Sequence, residues 1–475
     1  MISPRIMFHA RCVASIAAAL LSGFASGQSS VASYNGLHAI VGVRIEVGDG
    51  HVIEKGTVVI RDGMIVAVAA DAAVPHGADV VDGKGMTVYP GFIDAYTTKG
   101  FTAPKAASTP TDPDVNIGDF ASAFMRENVR KGIYPEARAI ENLSLGADLL
   151  KSYQTAGFTT ILVAPSGGDM SGAAALVNLS GRPTRECAVV ANAGETFGFG
   201  VSAWGGGYPS SLMGHIAQLR QTLLDAQWYR AVEKSFAAGG IQRPPSDDSL
   251  IALQSVILGK TAAVFDADSE YQIERSLDIC AEFGMKPIIA GGKEGWKQLD
   301  AVKRSGAPVL LSLSFGKEPG AKPEASVPPK TDAPPEPAPE PVNPAKVAEQ
   351  LRLYKEAVAN PSVLSKAGVP IALSTKGAKD FAEFMENLRK AVAAGFSKEA
   401  ALRSLTIDSA RIFGVDRQLG TIEVGKIANV IVMTGDFLDA ITKVKILYID
   451  GRKIDPSRNA IPKTPHFDFG GEGGN

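Results

Sequence analysis

Six histidines make up the whole imidazole supply of this 475-residue chain, and their positions limit its chemistry. His9 lies in the N-terminal segment, His38, His51 and His76 in a β-rich stretch after it, and His466 in the tail. Only His215 falls in the centre, within Ser211-Leu212-Met213-Gly214-His215-Ile216, where an ordinary helix residue is a simpler reading than a metal ligand. No Gly-x-Ser-x-Gly elbow accompanies a histidine, so serine-nucleophile chemistry has no support. Two lysines, Lys293 and Lys376, follow short apolar runs; either could form a Schiff base if desolvation lowered its pKa. Neutralisation by Asp266 or Glu294 is the simpler expectation. The loop Ala164-Pro165-Ser166-Gly167-Gly168-Asp169-Met170-Ser171-Gly172 could offer backbone N–H groups to an anion or carbonyl. Its glycines could equally serve only to turn the chain, and it lacks the lysine-serine ending of a P-loop. Gly205-Gly206-Gly207-Tyr208 and Gly291-Gly292-Lys293 have the same texture. With Tyr96, Trp204 and Tyr208 they could line a pocket in which the two lysines hold an anionic ligand. A hard-metal site built from carboxylates needs paired acids, and no central strand is expected to present such a pair.

These residues need a scaffold, and the hydrophobic pattern supplies one. From Ala39 to Val88 the chain alternates in short strands, with Arg61-Asp62-Gly63 as a hairpin turn. The same texture returns at Gly420–Gly425, Asn429–Met433 and Val444–Ile449, closed by Asp450-Gly451. Neither half can bury a face alone, so the two ends are expected to join in one small β-domain. Between them, apolar strands are expected at 88–93, 159–163, 187–191, 262–266, 286–290, 308–313 and 369–373, separated by helix-length segments. Parallel strands buried on both faces read this way. A helix is expected over Asp380–Ala394 and another over Ser397–Phe413, capped by Ser397. The sum is an α/β chain, a (β/α)8 TIM-like barrel with a small composite β-sandwich domain. An eighth strand is expected between Asn192 and Lys260, near Phe199–Ala203. The segment 319–344 holds ten prolines in 26 residues and reads as an extended excursion from the barrel.

The N-terminus has the form of an export signal. Arg5 and Arg11 precede an apolar stretch from Val13 to Phe24, and Ala25-Ser26-Gly27 suits cleavage before Gln28. The apolar run falls short of the roughly 20 residues that cross a bilayer. Residues 1–27 are therefore read as a signal peptide, 28–88 with 415–456 as the β-domain, 89–414 as the barrel and 457–475 as a tail. A periplasmic or secreted location follows, with no membrane insertion after cleavage. A net charge of -2, from 48 basic and 50 acidic residues, gives no drive toward nucleic acid. After cleavage Cys187 and Cys280 remain; two free buried thiols are expected, with a disulfide as the alternative.

Three stretches together resemble the amidohydrolase superfamily, especially its imidazolonepropionase-like and prolidase-like branch of metal-dependent hydrolases. They are Gly83–Asp94 (Gly-Lys-Gly-Met-Thr-Val-Tyr-Pro-Gly-Phe-Ile-Asp), Ala401–Gly414 and Leu419–Val430. The resemblance implies one or two divalent metals, usually zinc, at the C-terminal mouth of the barrel, where they activate water for attack on an amide-like bond. It implies ligands in a His-x-His after strand 1, histidines on strands 5 and 6 and an aspartate after strand 8. Carried over by motif, the first pair falls on Tyr96 and Thr98, the strand-5 histidine on Asp266, the strand-6 histidine on Ala290 or Gly291, and the aspartate motif on Leu373-Ser374-Thr375-Lys376. A cation thus replaces a ligand: at about 4 Å and an effective dielectric of 20, it would repel a dication by roughly 8 kcal/mol. No metal cofactor is expected. The resemblance leaves Asp94, Asp266, Lys293 and Lys376 as candidate catalytic groups and Tyr96, Thr98, Ser166, Gly291 and Thr375 as candidate ligand contacts. The expectation is a pseudoenzyme that binds a small anionic or peptide-like ligand, or supports a homo- or hetero-oligomer with an active paralogue. The alternative is a hydrolase of C–N bonds other than linear peptide bonds, acting on a cyclic amide or peptide-like substrate through a rearranged site.

Overall fold

The computed structural model describes residues 36–102, 132–200, 209, 211–319 and 343–457. Sixteen strands are found among them. The first five are β1 (Leu37–Glu46), β2 (Val52–Arg61), β3 (Met64–Ala69), β4 (Asp79–Asp82) and β5 (Thr87–Pro90). The barrel strands are β6 (Phe92–Thr97), β7 (Phe158–Val163), β8 (Met170–Asn178), β9 (Ala188–Phe197), β10 (Ala262–Ala267), β11 (Lys286–Gly291), β12 (Val309–Ser312) and β13 (Ile371–Ser374). The last three are β14 (Val430–Met433), β15 (Val444–Ile449) and β16 (Arg452–Ile454).

The two ends of the chain form one mixed sheet in the order β16-β15-β14-β5-β1-β2-β3, with β4 also on β1. Its hairpins turn where the sequence requires a left-handed backbone. Asp62 and Gly63 have φ of 51° and 85°, and Asp450 and Gly451 have 52° and 73°. Two successive positive-φ residues match the twist of the flanking strands. The segment Gly420–Gly425, expected as a strand, is irregular; it joins the sheet domain through the Ile422 N–H to the Val47 C=O and the Gly425 N–H to the Ile65 C=O, each at 2.9 Å.

The central strands make a near-closed eight-stranded barrel sheet, β6 to β13 in chain order. Inward-facing Ile93, Leu162, Leu176, Val264, Ile288, Leu310 and Ala372 fill it, so the interior is a packed core rather than a pore. The eighth strand is β8, not a segment near Phe199–Ala203. Phe199 and Gly200 belong to no strand, and Val201–Ala203 lie outside the described residues. β8 runs antiparallel to both β7 and β9, which departs from a strictly parallel (β/α)8 order. Its Ser171-Gly172-Ala173-Ala174-Ala175 run has weak intrinsic strand preference and reads as loop. Burial of every residue of the strand overrides that preference.

The helix Phe381–Ala393 presents Phe384 and Leu388 to the core, and Asp380 caps it. The run after Ser397 divides into Lys398–Leu405 and Ile407–Ile412, broken at Thr406 (φ −134°, ψ −99°). A buried amide network joins the two sheets. Asn429 donates to Asn178 Oδ1 at 2.9 Å and to Thr160 at 3.2 Å, Asn178 donates to Asp450 at 2.6 Å, and the Asp450 N–H returns to Asn429 at 2.8 Å. Cys187 and Cys280 are buried free thiols. Among the described residues no helix is long and apolar enough to cross a membrane.

Candidate functional site

The C-terminal ends of β6, β10, β11 and β13 bring Tyr96, Asp266, Gly291, Lys293 and Lys376 together. Val264 and Asp266 share the inward face of β10, because side chains two apart on a strand do so, and Asp268 follows one residue past the strand's end. The Lys376 ammonium contacts Asp266 Oδ1 and lies 3.2 Å from Asp268 Oδ2. Lys293 reaches the same Asp268 oxygen at 3.4 Å. Two ammonium and two carboxylate groups therefore alternate across the mouth. The ring of Tyr96 lies 6.0 Å from the Lys376 Nζ, within range of a cation–π contact. Burial pushes the Tyr96 phenol up, and the charges of Asp266 and Asp268 add to it. Tyr96 is thus a neutral wall, not an anionic ligand.

The backbone holds this arrangement tightly. Gly291 has φ of 106°, and a Cβ there would stand 2.1 Å from Asp268 Oδ1 and 2.7 Å from Lys376 Nζ. Glycine is what allows both charged groups to occupy the space. The Ser312 hydroxyl donates to the Lys376 carbonyl at 2.6 Å, which fixes the chain just past β13. Glu294, a second candidate neutraliser of the lysines, instead accepts from Lys297 at 2.7 Å and from the Glu270 N–H at 2.9 Å.

Asp94 lies elsewhere. It is completely buried and accepts from the Thr375 N–H at 2.8 Å, the Thr375 hydroxyl at 2.6 Å, the Tyr153 hydroxyl at 3.1 Å and the Tyr96 N–H at 3.3 Å. β6 and β13 are the two ends of the barrel sheet and share no ladder. The Asp94–Thr375 pair bridges that seam with side-chain hydrogen bonds. Burial pushes the Asp94 carboxyl up to about 6, against the bonds from Thr375, Tyr96 and Tyr153. Of the other candidates, Thr98 and Ser166 are exposed, while Trp204 and Tyr208 lie outside the described residues. His215 is a buried helix residue paired with Asp169 at 2.7 Å. A cavity of about 600 Å³ opens at the opposite, N-terminal end of the strands, beside Pro308, Pro370, Arg403 and Asp408. The charged quartet is not there.

Asp268 is the residue that sequence reasoning missed. The spacing Asp266-Ala267-Asp268 at the end of an apolar strand was its signal, one acid on the strand and one just past it.

A family model described as the amidohydrolase family matches residues 339–454. Imidazolonepropionase of Geobacillus thermodenitrificans (strain NG80-2) is 42% identical over 62 residues, which is 12% of this chain and 15% of that protein's length. Among solved structures, an amidohydrolase from Thermotoga maritima MSB8 superposes with a TM-score of 0.69 at 20% identity, covering 88% of this chain and 99% of that one. A Xaa-Pro dipeptidase with methionine bound in its active site reaches a TM-score of 0.51 at 16% identity, covering 88% and 100%. The fold is that of the amidohydrolase superfamily.

That fold implies a divalent metal, and the donors present do not fit one. Among the described residues no group of three or more His, Cys, Asp or Glu could hold a metal ion. The two carboxylates that converge, Asp266 and Asp268, converge on an ammonium.

Proposed function

We propose that this protein is an exported amidohydrolase-like pseudoenzyme, a barrel in which the Lys376 ammonium stands where the fold's metal would stand. Its role is to bind a small anionic or peptide-like ligand at the mouth, or to support a partner subunit through it. The observation that carries this reading is the contact of Lys376 with both Asp266 and Asp268. A dication brought to the same carboxylates would have to displace a covalently tethered cation and then sit beside it. The export assignment rests on the residue pattern of 1–27, and the domain limits at 88/89 and 414/415 on the change of hydrophobic period.

Metal analysis of the purified protein tests the proposal. Zinc, manganese and nickel should remain well below one ion per chain after dialysis, and none should raise the melting temperature, since stabilisation requires binding to the folded state. Stoichiometric zinc that survives dialysis would instead favour a rearranged hydrolase of C–N bonds.

A further inference from the structure

We propose that the cavity at the N-terminal end of the barrel, on the far side from the charged mouth, is a second binding site, one that takes a small organic carboxylate with an apolar body. Its volume of about 600 Å³ lies in the range of small-molecule sites.

Local sequence opens the space. The helices Leu299–Ser305 and Pro344–Lys366 are followed by Gly306 and Gly368, both in left-handed backbone with φ of 66° and 78°. A Cβ at either glycine would meet nothing within 4 Å. Pro308, Val369, Pro370, Ile371 and Ile412 give the cavity an apolar wall. The polar wall is made by a helix break. Arg403 lies in the last turn of Lys398–Leu405, and Asp408 in the first turn of Ile407–Ile412. Five positions apart, they would stand on different faces of an unbroken helix; the break at Thr406 turns them together. Arg403 donates from Nε to Asp408 Oδ2 at 3.2 Å and from Nη2 to Oδ1 at 2.9 Å, while Arg411 Nη1 reaches Oδ1 at 3.2 Å. One carboxylate thus serves two guanidiniums. Each guanidinium offers several N–H donors, and Arg403 Nη1 and Arg411 Nε and Nη2 have no hydrogen-bond partner among the described residues.

Charge selects the ligand. Arg403, Arg411 and Asp408 are the charged residues that line the cavity among the described residues, a net single positive charge. Glu399 and Asp49 act on Arg403 from farther away, and neither lines the space. Planar guanidinium edges match a carboxylate, and a monoanion balances the remaining charge. A phosphate dianion would bring its second charge against Asp408. The apolar wall rewards a body as well as a head group, which selects against a bare inorganic ion.

Saturation-transfer NMR on full-length protein tests the site with phenylacetate as the probe, acetate as a head group without a body, and phenylacetamide as a neutral isostere. Phenylacetate should bind with a Kd on the order of 10⁻³ M, as expected for so few atoms, and each of the others at least ~10-fold more weakly. The Arg411 side chain is 53% exposed, so its replacement should leave the fold intact. Arg411→Gln should weaken phenylacetate binding at least ~10-fold, and Ala400→Phe, which puts a ring into the cavity, should abolish it. Where Arg411→Gln melts early, Arg411→Lys keeps the charge and loses the planar fork; it should still bind at least ~3-fold more weakly than wild type, and equal binding counts against the site. The mouth also carries ammonium groups, so Lys293→Gln is titrated alongside. Binding that survives Lys293→Gln and falls in Arg411→Gln establishes the site. Binding lost in Lys293→Gln but kept in folded Arg411→Gln overturns it, as does phenylacetamide that binds as tightly as phenylacetate, or no transfer to phenylacetate at all. The metal analysis that tests the reading of the mouth is independent of each of these results.

Discussion

Alanine at Lys376 removes the cation that Asp266 and Asp268 share. At 3.2 Å, a unit pair in an effective dielectric of 20 attracts by about 5 kcal/mol before desolvation is counted. The side chains of Lys376 and Asp266 are 17% and 44% exposed, so the pair stands between two regimes. Breaking a buried pair costs about 3–5 kcal/mol, and an exposed pair contributes roughly 0–1 kcal/mol. Lys376→Ala should lower stability by about 2 kcal/mol, because it leaves two carboxylates facing each other. Asp266→Asn should cost less, since Asp268 still neutralises the ammonium. Chemical denaturation of both single variants and the double variant should give a coupling energy of about 1 kcal/mol, above the roughly 0.3–0.5 kcal/mol scatter of independent sites. Part of it should vanish in about 1 M salt, where exposed charges are screened within roughly 3 Å. Additive effects for Lys376 with both Asp266 and Asp268 would refute the charge-compensation argument.

Other groups make separate predictions. The Asp94 carboxyl, pushed up to about 6 by burial, has a folded pKa above its free value, so its favourable contribution is complete below about pH 4 and is lost as pH rises through about 6. The stability of wild type relative to Asp94→Asn should accordingly fall by up to about 3 kcal/mol between pH 4 and 7; a flat difference would refute the assignment. Asn429→Ala leaves the Asp450 N–H without its partner and takes one of two donors from Asn178 Oδ1, and should cost about 1–3 kcal/mol by thermal or denaturant melting. An unchanged midpoint would remove the network from the account of how the sheets are joined. Cys280, its thiol pushed up to about 12 by burial, should react with a thiol reagent only on unfolding; rapid labelling of the native protein at Cys280 would contradict its burial.

The scaffold was legible because its signals are periodic and local. Runs such as Val264-Phe265 and Ile288-Ile289, buried on both sides, identify their strands, and the two Asp-Gly turns at Asp62 and Asp450 fix hairpins. β8 escaped because small residues carry little strand signal and its pairing with β7 and β9 is a tertiary fact. At the mouth, the residues around Lys376 were found through their position in a motif. Asp268 was not, since its part depends on the two carboxylates at the end of one strand meeting a lysine 108 positions away. The partners of Asp94 were equally invisible: Thr375 becomes its donor only when the last barrel strand returns to the first.

The order of strands in the terminal sheet has a consequence for how the chain is made. β14 pairs with β5 on one side and β15 on the other, and 340 residues separate Pro90 from Val430. At about 5–20 residues per second, a ribosome needs roughly 20–70 s to cover that distance. Throughout that interval β5, with Val88 and Tyr89 destined for full burial, has an open edge able to pair with a neighbouring nascent chain. Vectorial folding from the N-terminus therefore cannot complete this molecule; the first half-sheet must be kept from aggregating until the last strands are released.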